Sequence, residues 1–152
     1  MQLTVLSLLM AFLFGFSLFT SDQGLELAKE KEAIKQTIQH YFNGLDQHDV
    51  ESLKKAFHAD AKLFFIRDQK LTQLTQTEWY EGFKSKPASA PVRAEKRIAS
   101  IEITGNTAVA KTEAEYPNQL VTDYLSLLKV EGRWWIVNKI FYRQEKVAAA
   151  NR

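Results

Sequence analysis

The chain has 152 residues, 45% of them hydrophobic and 25% charged, with a formal charge of +2 and no cysteine. That composition suits one folded domain with a real core and excludes a disordered chain. Disulfides, thiolate metal sites, thiol nucleophiles and a lipid-modified N-terminal cysteine are excluded outright, and the small charge without a Lys/Arg cluster leaves no nucleic-acid footprint.

Leu3 to Phe19 runs without a charged side chain, and the first basic residue is Lys29. A secretory signal and a short membrane anchor both fit such a run, and no clean A-x-A cleavage site follows it. The expectation is export to the periplasm or outside the cell, with membrane contact only through residues 3–19 if the leader stays uncleaved. Residues 1–24 then form the leader, 25–146 the folded domain and 147–152 a tail.

From Glu26 to Leu45 the residues Ile34, Ile38, Tyr41, Phe42 and Leu45 recur at steps of three and four, one apolar stripe of a helix. Gly44 weakens its last turn. Asp49 caps a second, shorter helix whose buried side is Leu53, Ala56 and Phe57. "AKLFFI" (61–66) reads as a strand, and Asp68 beyond it as a turn former. Thr75-Gln76-Thr77-Glu78 fits a capping box, with Trp79, Tyr80 and Phe83 following at helical spacing. "KPASAP" (86–91) is a loop.

After that loop the period changes to two. Residues 97–104 and 107–116 make a hairpin around Gly105-Asn106, and a second hairpin, 122–141, turns at Glu131-Gly132. The order is helix, helix, strand, helix, then four antiparallel strands. It predicts an α+β fold in which three N-terminal helices pack on one side of a curved, mostly antiparallel sheet.

The faces of the second hairpin follow from counting inward from its turn, because directly opposed residues share a face. Asp123, Leu125, Leu127, Trp134, Ile136, Asn138 and Ile140 fall on one side. Tyr124, Ser126, Leu128, Val130, Trp135, Val137, Lys139 and Phe141 fall on the other. An extra residue in either strand swaps that strand's assignment. The first set suits the helices, with Asp123 and Asn138 close together as its polar members. The second set is too aromatic to be left wet, and Tyr124, Leu128, Trp135, Val137 and Phe141 on it form an expected homodimer face.

These same stretches carry a resemblance. Phe57-His58-Ala59-Asp60-Ala61, Glu78-Trp79, the run Thr122 to Val130 and Gly132 to Lys139 resemble the nuclear transport factor 2-like superfamily, shared by ketosteroid isomerases and SnoaL-like cyclases. More narrowly they resemble its putative lumazine-binding branch, over about Glu32 to Phe141. The branch usually has proline where this chain has Ala59. The resemblance implies a cone-shaped roll with a conical pocket between sheet and helices, and often dimerisation through the outer sheet face. It implies no single activity, since one fold hosts isomerases, dehydratases, cyclases and binding proteins.

Steroid isomerase chemistry needs a carboxylate base with oxyanion donors. Aligning the "Tyr…Phe-x-x-Asp-Ala" stretches places Tyr41 on the isomerase tyrosine and Phe65 on the base position, and phenylalanine takes no proton. Asp123 and His58 remain as candidate general bases for a cofactor-free lyase or isomerase. Structural readings stand beside these: His58 hydrogen-bonding backbone carbonyls at a helix end, Asp60 capping or turning the chain into the strand, Asp123 as a tie between elements, Tyr41 as a satisfied core tyrosine. The three histidines show no metal-ligand spacing, and no metal or cofactor is expected. The leading expectation is an exported protein that binds a small apolar or aromatic molecule, with Tyr41, Trp79, Asp123, Trp134 and Asn138 lining the pocket. A dimeric interaction module with a vestigial pocket is the remaining alternative.

Overall fold

The computed structural model describes residues 3–84 and 94–146, with side chains described over 23–83 and 94–146. The 86–91 loop and the 147–152 tail lie outside them, as do the side chains of the apolar run. Among residues whose side chains are described, no helix is long and apolar enough to cross a membrane. The chain divides into two compact units, Met1–Glu32 and Ala33–Arg152. The first is helical from Leu3; the second holds the sheet and everything below.

Three helices and six strands follow in order: α1 (Leu3–Gln47), α2 (Val50–Ala56), β1 (Phe57–Arg67), β2 (Lys70–Thr75), α3 (Gln76–Lys84), β3 (Glu95–Thr104), β4 (Thr107–Glu115), β5 (Gln119–Val130) and β6 (Arg133–Glu145). The strands form one sheet in the order β2-β1-β6-β5-β4-β3, antiparallel except where β1 runs parallel to β6. The expected α+β plan holds, with one strand more than the sequence suggested. β2, "KLTQLT", is a short, mostly polar edge strand, and only one side of it meets other backbone. Such strands carry little hydrophobic pattern to read. β1 also starts earlier than expected, so Phe57 opens a strand rather than closing the helix before it.

The local signals act as chemistry requires. Asp49 accepts hydrogen bonds from the Glu51 and Ser52 amides and so caps α2. Glu78 reaches back to the Thr75 amide at 2.7 Å while Thr75 Oγ1 accepts from the Glu78 amide, the reciprocal capping box at the start of α3. Asp68 and Gln69, with φ of 50° and 60°, turn β1 into β2. Glu131 and Gly132, with φ of 51° and 79°, make the two-residue turn of the last hairpin.

The core lies between the sheet and the helices. Ile34, Ile38 and Tyr41 of α1 and Leu53 of α2 meet Leu125, Leu127, Trp134 and Ile136 of the sheet, all fully or almost fully buried. Thr37 pins helix to sheet by donating a 3.1 Å hydrogen bond to the Trp134 carbonyl.

One irregularity decides what faces this core. β5 and β6 pair as expected from the turn through Leu127 opposite Ile136, and then Ser126 pairs with Asn138. Val137 is the extra residue of a β-bulge. Beyond it the parity of β6 reverses. Leu125 now faces Lys139 and Asp123 faces Phe141, so Lys139 and Phe141 join the core face. Asn138 and Ile140 pass to the opposite face, where Asn138 Nδ2 donates to the Lys62 carbonyl of β1 at 3.3 Å. The expected placements of Asn138 and Ile140 with the core, and of Lys139 and Phe141 on the dimer face, are therefore corrected. Asp123, Leu125, Leu127, Trp134 and Ile136 stand where the counting put them, and Tyr124, Leu128 and Trp135 lie on the far face.

Candidate functional site

The bulge brings a lysine next to the buried carboxylate. Lys139 Nζ lies 3.2 Å from Asp123 Oδ1 and donates at 2.9 Å to Tyr41 Oη. The Tyr41 hydroxyl in turn donates to Asp123 Oδ2 at 2.7 Å, and Thr112 Oγ1 adds a 3.4 Å contact to the same oxygen. α1, β4, β5 and β6 thus each contribute one member of a closed polar cluster. Its side chains are almost wholly withdrawn from solvent: Asp123 is 4% exposed, Lys139 7%, Tyr41 1% and Thr112 1%. A buried charge persists only when paired and hydrogen-bonded, and each charge here has its partner. Burial, then the neighbouring Asp123 charge and its hydrogen bond, push the Tyr41 hydroxyl well above the ordinary tyrosine range, so it stays a neutral phenol.

Aromatic rings enclose the amine. Lys139 Nζ sits 4.7 Å from the Phe141 ring centre, 5.2 Å from Tyr41 and 5.5 Å from Trp79. Tyr41 itself meets Phe57 edge-on at 5.4 Å.

The cluster borders a cavity of about 660 Å³ formed by β1, β2, α3 and β6. Phe65, Trp79, Phe83 and Phe141, with Tyr142, supply its aromatic wall, and Leu63, Ile66 and Leu74 its aliphatic part. Phe65 and Phe141 stack at 5.0 Å. Lys139, Arg67 and Arg143 are its cations and Glu78, committed to the α3 cap, its one anion among the described residues. Arg67 lies over Phe65 and Arg143 over Phe141, which spreads positive charge along the ring faces.

Of the residues singled out from sequence, Trp79 lines this cavity. Tyr41 and Asp123 stand directly behind Lys139 without forming the wall, and Trp134 is core beneath the helices. Asn138 is on the other face, while Phe141, expected outside, is part of the wall. His58 lies away from the cavity: its Nδ1 accepts from the Asp60 amide at 3.2 Å and its ring meets Trp135 edge-on at 5.9 Å. Neither candidate general base touches the cavity directly. Lys139 was missed because strict alternation put it outside, and the available signal was a lysine beside Asn138 within the largely apolar stretch from Trp134 to Tyr142.

The α+β architecture with a single mostly antiparallel sheet, helices on its inner face and a cavity bounded by β1, β2, α3 and β6 defines a nuclear transport factor 2-like protein. Within that class the chain belongs to the putative lumazine-binding family, which matches residues 29–142. A nuclear transport factor 2-like protein of unknown function from Shewanella baltica is 29% identical, with a TM-score of 0.70 over 77% of this chain and 95% of that one. Another, from Methylobacillus flagellatus, is 31% identical, with a TM-score of 0.65 over 76% and 93%. The chain is also 26% identical over 117 residues to aldolase FrzH from Cladobotryum sp., covering 76% of this chain and 92% of the relative.

Proposed function

We propose that the protein binds a small, flat, carbonyl-bearing molecule in the cavity bounded by β1, β2, α3 and β6, with the Lys139 ammonium donating to a ligand oxygen. One observation carries this reading: a buried lysine, fixed by Asp123 and Tyr41, ends at the wall of an aromatic cavity. An ammonium has three N–H donors, and two are spent inside the cluster. The third is left for the cavity. The volume of about 660 Å³ is that of a small-molecule site rather than a packing defect. Flat rings suit the Phe65, Trp79, Phe83 and Phe141 wall, and the surplus of cations favours an oxygen-rich or anionic ligand. A lumazine, a planar bicyclic dione, has this chemistry, as the family's description suggests. An open cavity of this size weighs against a vestigial cone.

The aldolase relative supports a second reading, an enzyme acting on a carbonyl compound. Proton transfer at the ligand would then run through Lys139, since Asp123 and His58 do not reach the cavity.

We also propose that the far face of the sheet joins two copies of the chain, and that residues 1–24 direct export. Val109, Tyr124, Leu128, Val130 and Ile140 leave large apolar side chains exposed along three neighbouring strands, which supports the dimer.

Native mass spectrometry of the protein purified from its own source tests the main reading. The expected result is a retained small molecule that is lost from Lys139→Met. Retention of the same molecule by that variant, with its circular dichroism unchanged, would rule out Lys139 as the ligand's donor.

A further inference from the structure

We infer that Lys139 is a nucleophile: its amine condenses with the carbonyl carbon of an aldehyde or ketone seated in the cavity and forms an imine. The inference rests on the cavity being a site for carbonyl compounds. It goes further by assigning a covalent step and a substrate class.

Among the described residues lining the cavity Lys139 carries the one amine, and the other cations, Arg67 and Arg143, are guanidinium groups. The proton that an ammonium must shed before attack has an acceptor in place, Asp123 Oδ1 at 3.2 Å. Rotation about Cε–Nζ then turns the nitrogen lone pair toward the cavity while the two remaining N–H groups stay on Tyr41 and Asp123. The N–C bond forms as the carbonyl π pair moves onto oxygen, and that oxygen takes the proton which the attacking nitrogen gives up. The proton held by Asp123 then returns to the carbinolamine hydroxyl, which leaves as water while the nitrogen lone pair closes the C=N bond and Asp123 is again a carboxylate. Taken together, ammonium and carbonyl give a protonated imine and one water, with no oxidant or reductant.

Charge conservation is the strongest physical support. Asp123 is buried and needs a cation beside it whenever it is ionised, because an unpaired carboxylate in that place is costly. A protonated imine keeps one positive charge on Nζ, so the ion pair exists before and after the reaction. Tyr41 bridges the two partners, 2.7 Å from Oδ2 and 2.9 Å from Nζ, and remains a phenol able to pass a proton between them. The Phe141, Tyr41 and Trp79 rings around Nζ shield one side of the C=N bond from water once it has formed.

The test uses the full chain with trans-cinnamaldehyde, a flat aldehyde, and sodium cyanoborohydride, followed by peptide mass mapping. Cinnamyl alcohol, which cannot condense, is titrated by calorimetry in parallel. The expected result is a reduced adduct on Lys139 forming about 100-fold faster than on exposed Lys54, the scale of general acid–base assistance. Asp123→Asn should slow that adduct by more than it weakens binding of the alcohol. Labelling of Lys139 no faster than Lys54, while the alcohol binds, overturns the imine and leaves the binding reading standing. Absence of both the adduct and alcohol binding overturns the two together. The decisive readout comes from the unmodified protein, so it does not depend on any variant folding.

Discussion

Lys139, Asp123 and Tyr41 satisfy one another in a place where none would be tolerated alone. Breaking a buried ion pair from one side leaves a bare charge, which costs roughly 3–5 kcal/mol. Lys139→Met is therefore expected to lose about that much in urea unfolding, and Asp123→Leu a similar amount. The double variant should lose clearly less than the two combined, because no charge is stranded. Strict additivity in this cycle would show that the pair is not coupled. Tyr41 makes a pH signature. Its hydroxyl is held well above the ordinary tyrosine range in the folded chain, whereas the unfolded chain releases that proton near pH 10. Above about pH 10 the native state binds more protons than the unfolded state, so stability falls as pH rises. Chemical denaturation from pH 9 upward should show a shallower alkaline decline for Tyr41→Phe than for the parent. Equal slopes would place the alkaline loss elsewhere.

At the scale of elements, the last turn of α1 shows how a local penalty serves packing. Gly44 reads in the sequence as a weak point in a helix, and replacing glycine by alanine in a helix ordinarily gains up to about 1 kcal/mol. Here an added Cβ would stand 2.5 Å from Leu53 Cδ2 and 2.6 Å from its Cγ. Leu53 is fully buried in α2 and has nowhere to withdraw, so the missing side chain is what lets α2 close against α1. Gly44→Ala is expected to destabilise by about 1–3 kcal/mol, as overpacked cores do. A variant as stable as the parent in thermal unfolding would mean Leu53 has room. The caps of α2 and α3, the two hairpin turns and the α1 stripe were all readable, because each depends on a few adjacent residues. β2 was not, since a polar edge strand has no buried face to pattern it. The Val137 bulge was not either. Both parities of β6 read as plausible alternations, and the choice depends on how β1, β5 and the helices share the strand.

For the whole molecule, the sheet has one face on the helices and cavity and one face without a described partner layer. Tyr124, Leu128 and Ile140 on that second face are 45%, 39% and 47% exposed. If a second copy covers them, sedimentation should give a dimer for the parent and a monomer for Tyr124→Glu combined with Leu128→Glu. A parent that sediments as a monomer at micromolar concentration would remove the dimer. The leader has its own test. Fractionation of expressing cells should recover a shortened chain outside the cytoplasm, and full-length protein confined to the cytoplasm would refute export.

The sequence by itself determined what short-range chemistry controls: the helices, their caps, the tight turns, the α+β class, and the burial of Asp123. It also placed Tyr41 and Trp79 near the site. Tertiary structure alone decided which basic residue meets Asp123. One extra residue in β6 reverses the strand's parity, because side chains alternate with a period of two. That reversal exchanges Asn138 for Lys139, and with it an amide for an amine. The chemistry open to the cavity follows from a register that only the assembled sheet sets.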